Sequence, residues 1–571
     1  MANPIGMDRP ILAAAATLSL LLSVGCGARP DWVTAPQPLS GPVALNSHMV
    51  WVSSAREEIL VVDPAADVSA GERRLRRFAL DDPPTEPQLI PGTDGAAPPR
   101  GLALLTPSSS LLHLVSEDEA TGAITHRSVK LKQGYDQLAF AADGVYGLAW
   151  MGPAAKQQQL ISVVGKVAVL DVARLLAGEE DAIVEQDLNL EEAPKIASQG
   201  GVIFSGAMPL FPGETPLRLA AVASRTRVAL LDLGKPELRA RTIFLDPGVS
   251  PDVVRFTDGL APEAGSEYLL FTSKDSANSD RGISTYRILP EDAAASPETE
   301  NEPRIRLTYD LLLPDDPPVH FEVFPDPSGR RILVVSVGQS AQRATVFELF
   351  SSSIGQTVTF PDGVRANHVM RAPNPGAELA VLFEDPDRGG GHKRLIYLDI
   401  DAASQGRPEA ELGEAFADNV RIVTLVPQRP GRVLVQLEDS PQLELVDLTG
   451  PHPRSTSIRL NARAFPKWDS RGGSFYVATA QGNLLGRVKL DAQGEPSSDI
   501  LALDAPPGSR SDGVGAVHLL EGAGLVVVDH GLPQGAITVV PVDDLTREAA
   551  RTIDGIFLDG IFDLAAGRDS E

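Results

Sequence analysis

Val228-Ala229-Leu230-Leu231-Asp232 is an apolar run closed by an acid, and it is one of a set. The same grammar returns in Ile59-Leu60-Val61-Val62-Asp63, Val167-Ala168-Val169-Leu170-Asp171 and Leu395-Ile396-Tyr397-Leu398-Asp399. It returns again in Leu443-Glu444-Leu445-Val446-Asp447 and Ile537-Thr538-Val539-Val540-Pro541-Val542-Asp543, and more weakly at Ile283 to Leu289, Thr345 to Leu349 and Gly486 to Asp491. Short runs rich in Val, Ile, Leu, Phe and Tyr between turn residues are strand grammar. Each such run is the third of a group, preceded by two other apolar runs and a turn. Successive members lie mostly about 40 to 65 residues apart, a period that for a strand-only repeat predicts a β-propeller of four-stranded blades. The closing aspartate has a local use: at a strand exit its carboxylate accepts the next backbone N–H groups and starts a tight turn. That makes it a structural residue, not a catalytic one.

Phe324-Pro325-Asp326-Pro327-Ser328-Gly329-Arg330-Arg331-Ile332-Leu333-Val334-Val335 places a Pro/Asp/Gly turn and a basic pair directly before an apolar strand. This resembles the hairpin of YVTN-type and TolB-like propeller repeats, with weaker echoes from Ala372 to Phe383 and from Trp468 to Ala478. The resemblance extends loosely over most of residues 43 to 563 and implies architecture, not function. About ten candidate units are present, whereas common propellers have four to eight blades. The expectation is an all-β chain with one ring of seven or eight blades carrying insertions; a larger ring or two tandem propellers are the alternatives. Strands near Val43 to Ser53 and Gly555 to Leu564 are expected to complete one shared blade, which removes exposed edges. Leu176 to Ala197 and Glu291 to Arg304 read as charged or Pro-rich loops or short helices.

The formal net charge of −26 argues against nucleic acid, whose phosphates demand clustered Lys and Arg. It also argues against electrostatic attachment to anionic lipid. The one basic cluster, Arg73, Arg74, Arg76 and Arg77, reads as a solvated strand edge.

Near the N-terminus, Arg9 precedes the run Ile11 to Val24, ILAAAATLSLLLSV. At about 14 residues it has the length of a signal-peptide core and is short of a membrane span. The chain's single cysteine follows in Leu22-Ser23-Val24-Gly25-Cys26-Gly27. This resembles the lipobox of bacterial lipoproteins: Gly25 and Cys26 match, while Ser23 stands where leucine is usual. The resemblance implies cleavage after residue 25, lipidation of Cys26 and covalent attachment to a membrane. With Gly27 where a retention aspartate would stand, it implies the outer membrane, with the protein facing the periplasm or the surface. The expected division is a signal peptide over 1–25, the lipidated cysteine and a Pro/Gly-rich tether over 26–42, and the propeller over 43–571. With one cysteine the fold has no intrachain disulfide to rely on.

The sequence carries no HExxH, P-loop, GxSxG elbow or CxxC signature. No catalytic, cofactor-binding or metal-binding residue is assigned, and no cofactor is expected. The nine histidines are far apart in sequence, though a propeller channel can gather distant loops; His518 and His530, flanking one expected hairpin, and His368, before another strand, are the first to inspect. Asp385 and Asp387 in the turn Asp385-Pro386-Asp387-Arg388-Gly389-Gly390-Gly391 have the spacing of calcium-loop ligands, but Arg388 intrudes and the closing glutamate is missing. Gly513-Val514-Gly515-Ala516-Val517-His518 lacks the third glycine of a dinucleotide fingerprint and reads as a turn entering a strand. The expected function is a non-catalytic, lipid-anchored envelope module that binds a protein or glycan partner. The alternative is a propeller enzyme of lactonase or quinoprotein type, with its site in the central channel.

Overall fold

A computed structural model describes residues 39 to 558 apart from short internal segments, chiefly 68–72, 94–97, 154–164, 209–215, 261–266, 276–281, 290–304, 326–331, 350–355, 386–390, 405–408, 461–465 and 507–515. Cys26, the signal-like run and most of the tether lie outside the described residues, as do Glu291 to Arg304, Asp387 and Gly513 to Gly515. Among the described residues, no helix is long and apolar enough to cross a membrane.

The described strands form ten four-stranded antiparallel sheets, each built from one contiguous stretch of chain with its strands in sequence order. We number them as blades: 39–79, 88–130, 137–187, 202–244, 249–312, 318–359, 368–412, 420–459, 467–502 and 516–554. The expectation of seven or eight blades is therefore corrected to ten. The surplus units are not extra hairpins, because each one completes its own sheet.

Burial explains why the second and third strands were the legible ones. In blade 1 both Met49–Ser53 and Glu58–Val62 are buried along their whole length. Such strands are covered on both faces by neighbouring blades, so they read as continuous apolar runs instead of alternating ones. The fourth strands are exposed and polar: Arg454–Arg459 and Arg551–Asp554 each bury one residue. Ile183–Asp187 is such an outer strand, and its polar sequence led to the reading of Leu176 to Ala197 as a loop. A short helix, Val172–Ala177, precedes it.

Apolar packing divides into ten clusters, each lying between two successive blades. Blades 1 and 2 share the cluster of Val50, Ile59 and Leu104, and blades 2 and 3 that of Leu105, Leu114 and Ala168. The series continues through seven further junctions. The tenth joins Met49, Trp51 and Leu60 of blade 1 to Val527, Ile537 and Val539 of blade 10. One ring of ten blades closes on itself by face packing.

Among the described residues, no strand is shared at the closure. The first and last blades are each complete, and the described part of the expected strand from Gly555 to Leu564 forms a 3-10 turn, Ile556–Leu558, while residues 559 to 564 lie outside the described residues. Phe557 packs edge-on against Trp51, with ring centroids 5.3 Å apart. Arg77 donates to the Phe557 carbonyl at 2.7 Å and to the Glu58 carboxylate at 2.8 and 2.9 Å. Arg551 donates to the Pro64 carbonyl at 2.6 Å, and the Gly522 N–H to the Asn46 carbonyl at 3.0 Å. Arg73 and Arg76 are exposed as expected of a solvated edge, but Arg77 is part of the seam.

Candidate functional site

Propeller blades meet through their first strands, so the starts of those strands ring one end of the central channel. There a cavity of about 450 Å³ opens across blades 4 to 7. Its lining includes Lys195, Gln199, Asp252, Arg255, His320, His368 and Asp385.

Lys195 lies in the turn that enters blade 4. Its N–H donates to the Ala223 carbonyl at 2.8 Å, and its own carbonyl accepts the Trp150 indole N–H at 3.1 Å. The turn closes through the Gln199 and Gly201 N–H groups on the Ile196 carbonyl. Gly201 is required there, since a Cβ would stand 1.9 Å from the Lys195 carbonyl oxygen. The Lys195 ammonium reaches across to the Pro251 carbonyl of blade 5.

Blade 5 opens with Val249–Phe256, whose pairing slips between Pro251 and Val254. At this bulge the Val253 N–H turns to the Thr272 hydroxyl at 2.9 Å, and Asp252 stands exposed at the lip. Bulges re-aim side chains at barrel and channel rims. Arg255, two turns of the pleat further on, lies 3.4 Å from Glu322 of blade 6 and donates to the Val254 carbonyl at 3.0 Å.

The first strand of blade 6, Pro318–Pro325, also slips, between Pro318 and His320. His320 is only 4 % exposed, and its Nδ1 accepts the Val369 N–H at 3.4 Å. An accepting Nδ1 places the proton of the neutral ring on Nε2. His368 begins the first strand of blade 7, and its ring sits 3.8 Å from that of His320, with Phe383 on its other side at 4.8 Å. Asp385 is fixed beside it by Asn367, whose side-chain oxygen accepts the Asp385 N–H at 2.8 Å.

Of the residues singled out from sequence, His368 and Asp385 come together here. His518 and His530 do not join them; they belong to blade 10. Burial and then Lys467 hold the His518 imidazole down to about 4, and its Nε2 makes no hydrogen bond. His530 is lowered by burial and pairs with the Thr538 hydroxyl at 2.8 Å, which in turn meets Thr552 at 3.0 Å. Ala516 to Leu520 is a strand, as expected after the Gly513 stretch, whose glycines lie outside the described residues. Among the described residues, no three His, Cys, Asp or Glu side chains group as metal ligands.

His320, Lys195 and Arg255 went unnoticed in the sequence. For His320 the signal was a polar residue near the start of a first strand, Pro318-Val319-His320-Phe321-Glu322, and reading it requires knowing which strand of each blade is innermost.

No protein-family profile matches the chain, and no curated protein matches it in sequence. Solved structures that it resembles include a dihydro-heme d1 dehydrogenase, NirN, at 11% identity over 86% of this chain and 84% of that one, with a TM-score of 0.36. A eukaryotic initiation factor follows at 11% identity over 82% and 96%, TM-score 0.42, and AztD from Citrobacter koseri at 10% over 80% and 93%, TM-score 0.33. Likenesses at this level carry no argument about ligand or reaction. The protein is a ten-bladed propeller with a polar cavity at one mouth of its channel.

Proposed function

We propose that the protein is a lipid-anchored binding module of the cell envelope, held to the membrane through Cys26 and engaging its ligand at the channel mouth over blades 4 to 7. The observation that carries the binding half of this reading is the cavity itself. Four blades converge on it, two of their first strands are bulged there, and a histidine pair, His320 buried and His368 half-buried, forms part of its wall. Its size falls within the roughly 300–1,000 Å³ of small-ligand sites. Charged and hydrogen-bonding side chains line it, the kind of placed polar groups that fix the orientation of a bound ligand. The anchoring half rests on the signal-length run before the chain's only cysteine.

Two measurements test the two halves separately. Labelled palmitate should enter the wild-type chain in a bacterial host and not the Cys26→Ala variant, which should leave the membrane fraction while keeping its fold. Binding to purified envelope glycan and protein fractions should weaken at least tenfold in His368→Ala and stay unchanged in His452→Ala, an exposed residue outside the mouth. Equal binding by both variants would defeat the assignment of the site.

A further inference from the structure

The cavity is charge-balanced in a chain that is strongly acidic. Two cationic side chains, Lys195 and Arg255, face two anionic ones, Asp252 and Asp385, whereas the whole chain carries −26. The charges are also arranged in sequence around the mouth. Lys195 extends from blade 4 to the blade 5 backbone at Pro251, and Arg255 stands on blade 5 against Glu322. Beyond them come the His320–His368 pair and, at the blade 7 end, Asp385 held by Asn367. Asp252 is exposed at the lip, where water screens its charge, while Asp385 is half-buried. The cavity thus has both of its cationic side chains on blades 4 and 5, with Asp252 at the lip and Glu322 beside Arg255, and the carboxylate of Asp385 on blade 7 with two flat imidazole rings nearby.

Resting on the reading of this mouth as a binding site, we propose that its ligand is zwitterionic: an amino acid or short peptide with free ends. Its carboxylate docks toward Lys195 and Arg255, and its ammonium toward Asp385. A ligand with only negative charge would meet Asp385 and Asp252, and one with only positive charge would meet Lys195 and Arg255. A molecule carrying both signs complements both, and ion-paired hydrogen bonds are the strong ones where the site is partly desolvated. A volume of about 450 Å³ accommodates a dipeptide-sized molecule.

Isothermal titration of the purified full chain with glycylglycine, N-acetyl-glycylglycine, glycylglycine amide, a neutral disaccharide, inorganic phosphate and zinc chloride tests the assignment. Free glycylglycine should bind, and each capped form should bind at least tenfold more weakly. Lys195→Ala should weaken the free dipeptide tenfold or more while leaving the preference for a free amine. Asp385→Asn should abolish the discrimination between the free and acetylated amine, a change that general damage to the cavity would not produce. If the capped and free dipeptides bind alike, or if only the disaccharide, phosphate or zinc binds and the mouth variants weaken that binding, the zwitterion assignment falls and the site survives. If some probe binds but no mouth variant alters its affinity, or if none of the probes binds, the zwitterion assignment falls; only the former result also counts against the site.

Discussion

The aspartates that close the third strands show how a single side chain punctuates this fold. Asp63 accepts the Ala65 N–H at 2.9 Å, Asp232 the N–H groups of Gly234 and Lys235 at 2.9 and 3.2 Å, and Asp399 those of Asp401 and Ala402 at 2.8 and 3.1 Å. Asp447 and Asp491 do the same for Thr449 and Glu495, and Asp171 caps the helix Val172–Ala177 through the Arg174 N–H. Replacing Asp232 by Ala, which leaves two turn donors without their acceptor, should cost about 1 kcal/mol, read as a lowered denaturation midpoint with an unchanged slope. In blade 2 Asp118 takes this part, accepting the Ala120 and Thr121 N–H groups at 3.1 and 2.8 Å, and Glu117 just before it turns away from the local turn. Glu117 accepts the Ser47 N–H at 3.0 Å and lies 3.4 Å from His48, both in the first hairpin of blade 1. Within the same blade, burial, followed by the charge of His126, lowers His113 to about 4 from its ordinary 6.5. The folded chain therefore takes up this proton only below about 4, while the unfolded chain does so from about 6.5. Stability from this residue is complete above 6.5 and is lost as pH falls toward 4, by about 3 kcal/mol as an upper figure. Melting curves at pH 7 and pH 5 should show a drop in Tm that is smaller in His113→Asn, and an identical drop in both would refute this origin.

At the scale of elements, what the sequence disclosed depended on how many faces a strand buries. The nine third strands read from sequence are all third strands in the structure, because a strand covered on both sides is apolar throughout. The one missed, Leu111–Glu117, carries His113 in its middle and Ser116-Glu117 before its closing Asp118, so its apolar run is broken twice. Outer strands were nearly invisible: Ile183–Asp187 resembles a charged loop because most of it is only partly covered, so its sequence stays polar. The Pro/Gly stretches after Phe324, Ala372 and Trp468 share one place in the chain, between the first and second strands of a blade. The channel mouth was legible only in pieces, His368 and Asp385, because its wall is drawn from four separate blades, two of whose first strands are bulged there. Bulges leave no fixed sequence mark. The seam depends on one side chain in particular. Trp51 is buried between blades 1 and 10, so Trp51→Ala should cost about 3–5 kcal/mol and should do so without altering ligand binding across the ring at blades 4 to 7. Calorimetric unfolding beside a titration of the same variant separates the two effects.

Across the whole molecule, the ring makes closure a collective property. Each blade presents two apolar faces, and ten blades supply ten junctions, so none is left over. An open array of the same blades would leave one face at each end uncovered, as in repeat proteins that need polar caps. Among the described residues, closure rests on packing and three hydrogen bonds, not on a strand from one end of the chain completing a blade begun at the other. Two opposite outcomes follow for rearranged chains. A circular permutant that joins residue 558 to residue 39 through a flexible linker and opens between blades 1 and 2, within 80–87, keeps every blade and every junction. It should fold with a Tm within a few degrees of the parent. A chain ending at residue 506 lacks blade 10, which removes two junctions and exposes the faces of blades 1 and 9, including Trp51 and Tyr476. It should bind a hydrophobic dye, lose its single cooperative transition and associate with copies of itself. A truncated chain that stayed monomeric and melted in one sharp step would show that nine blades can draw together and close, and that ten is not dictated by the faces these sequences bury.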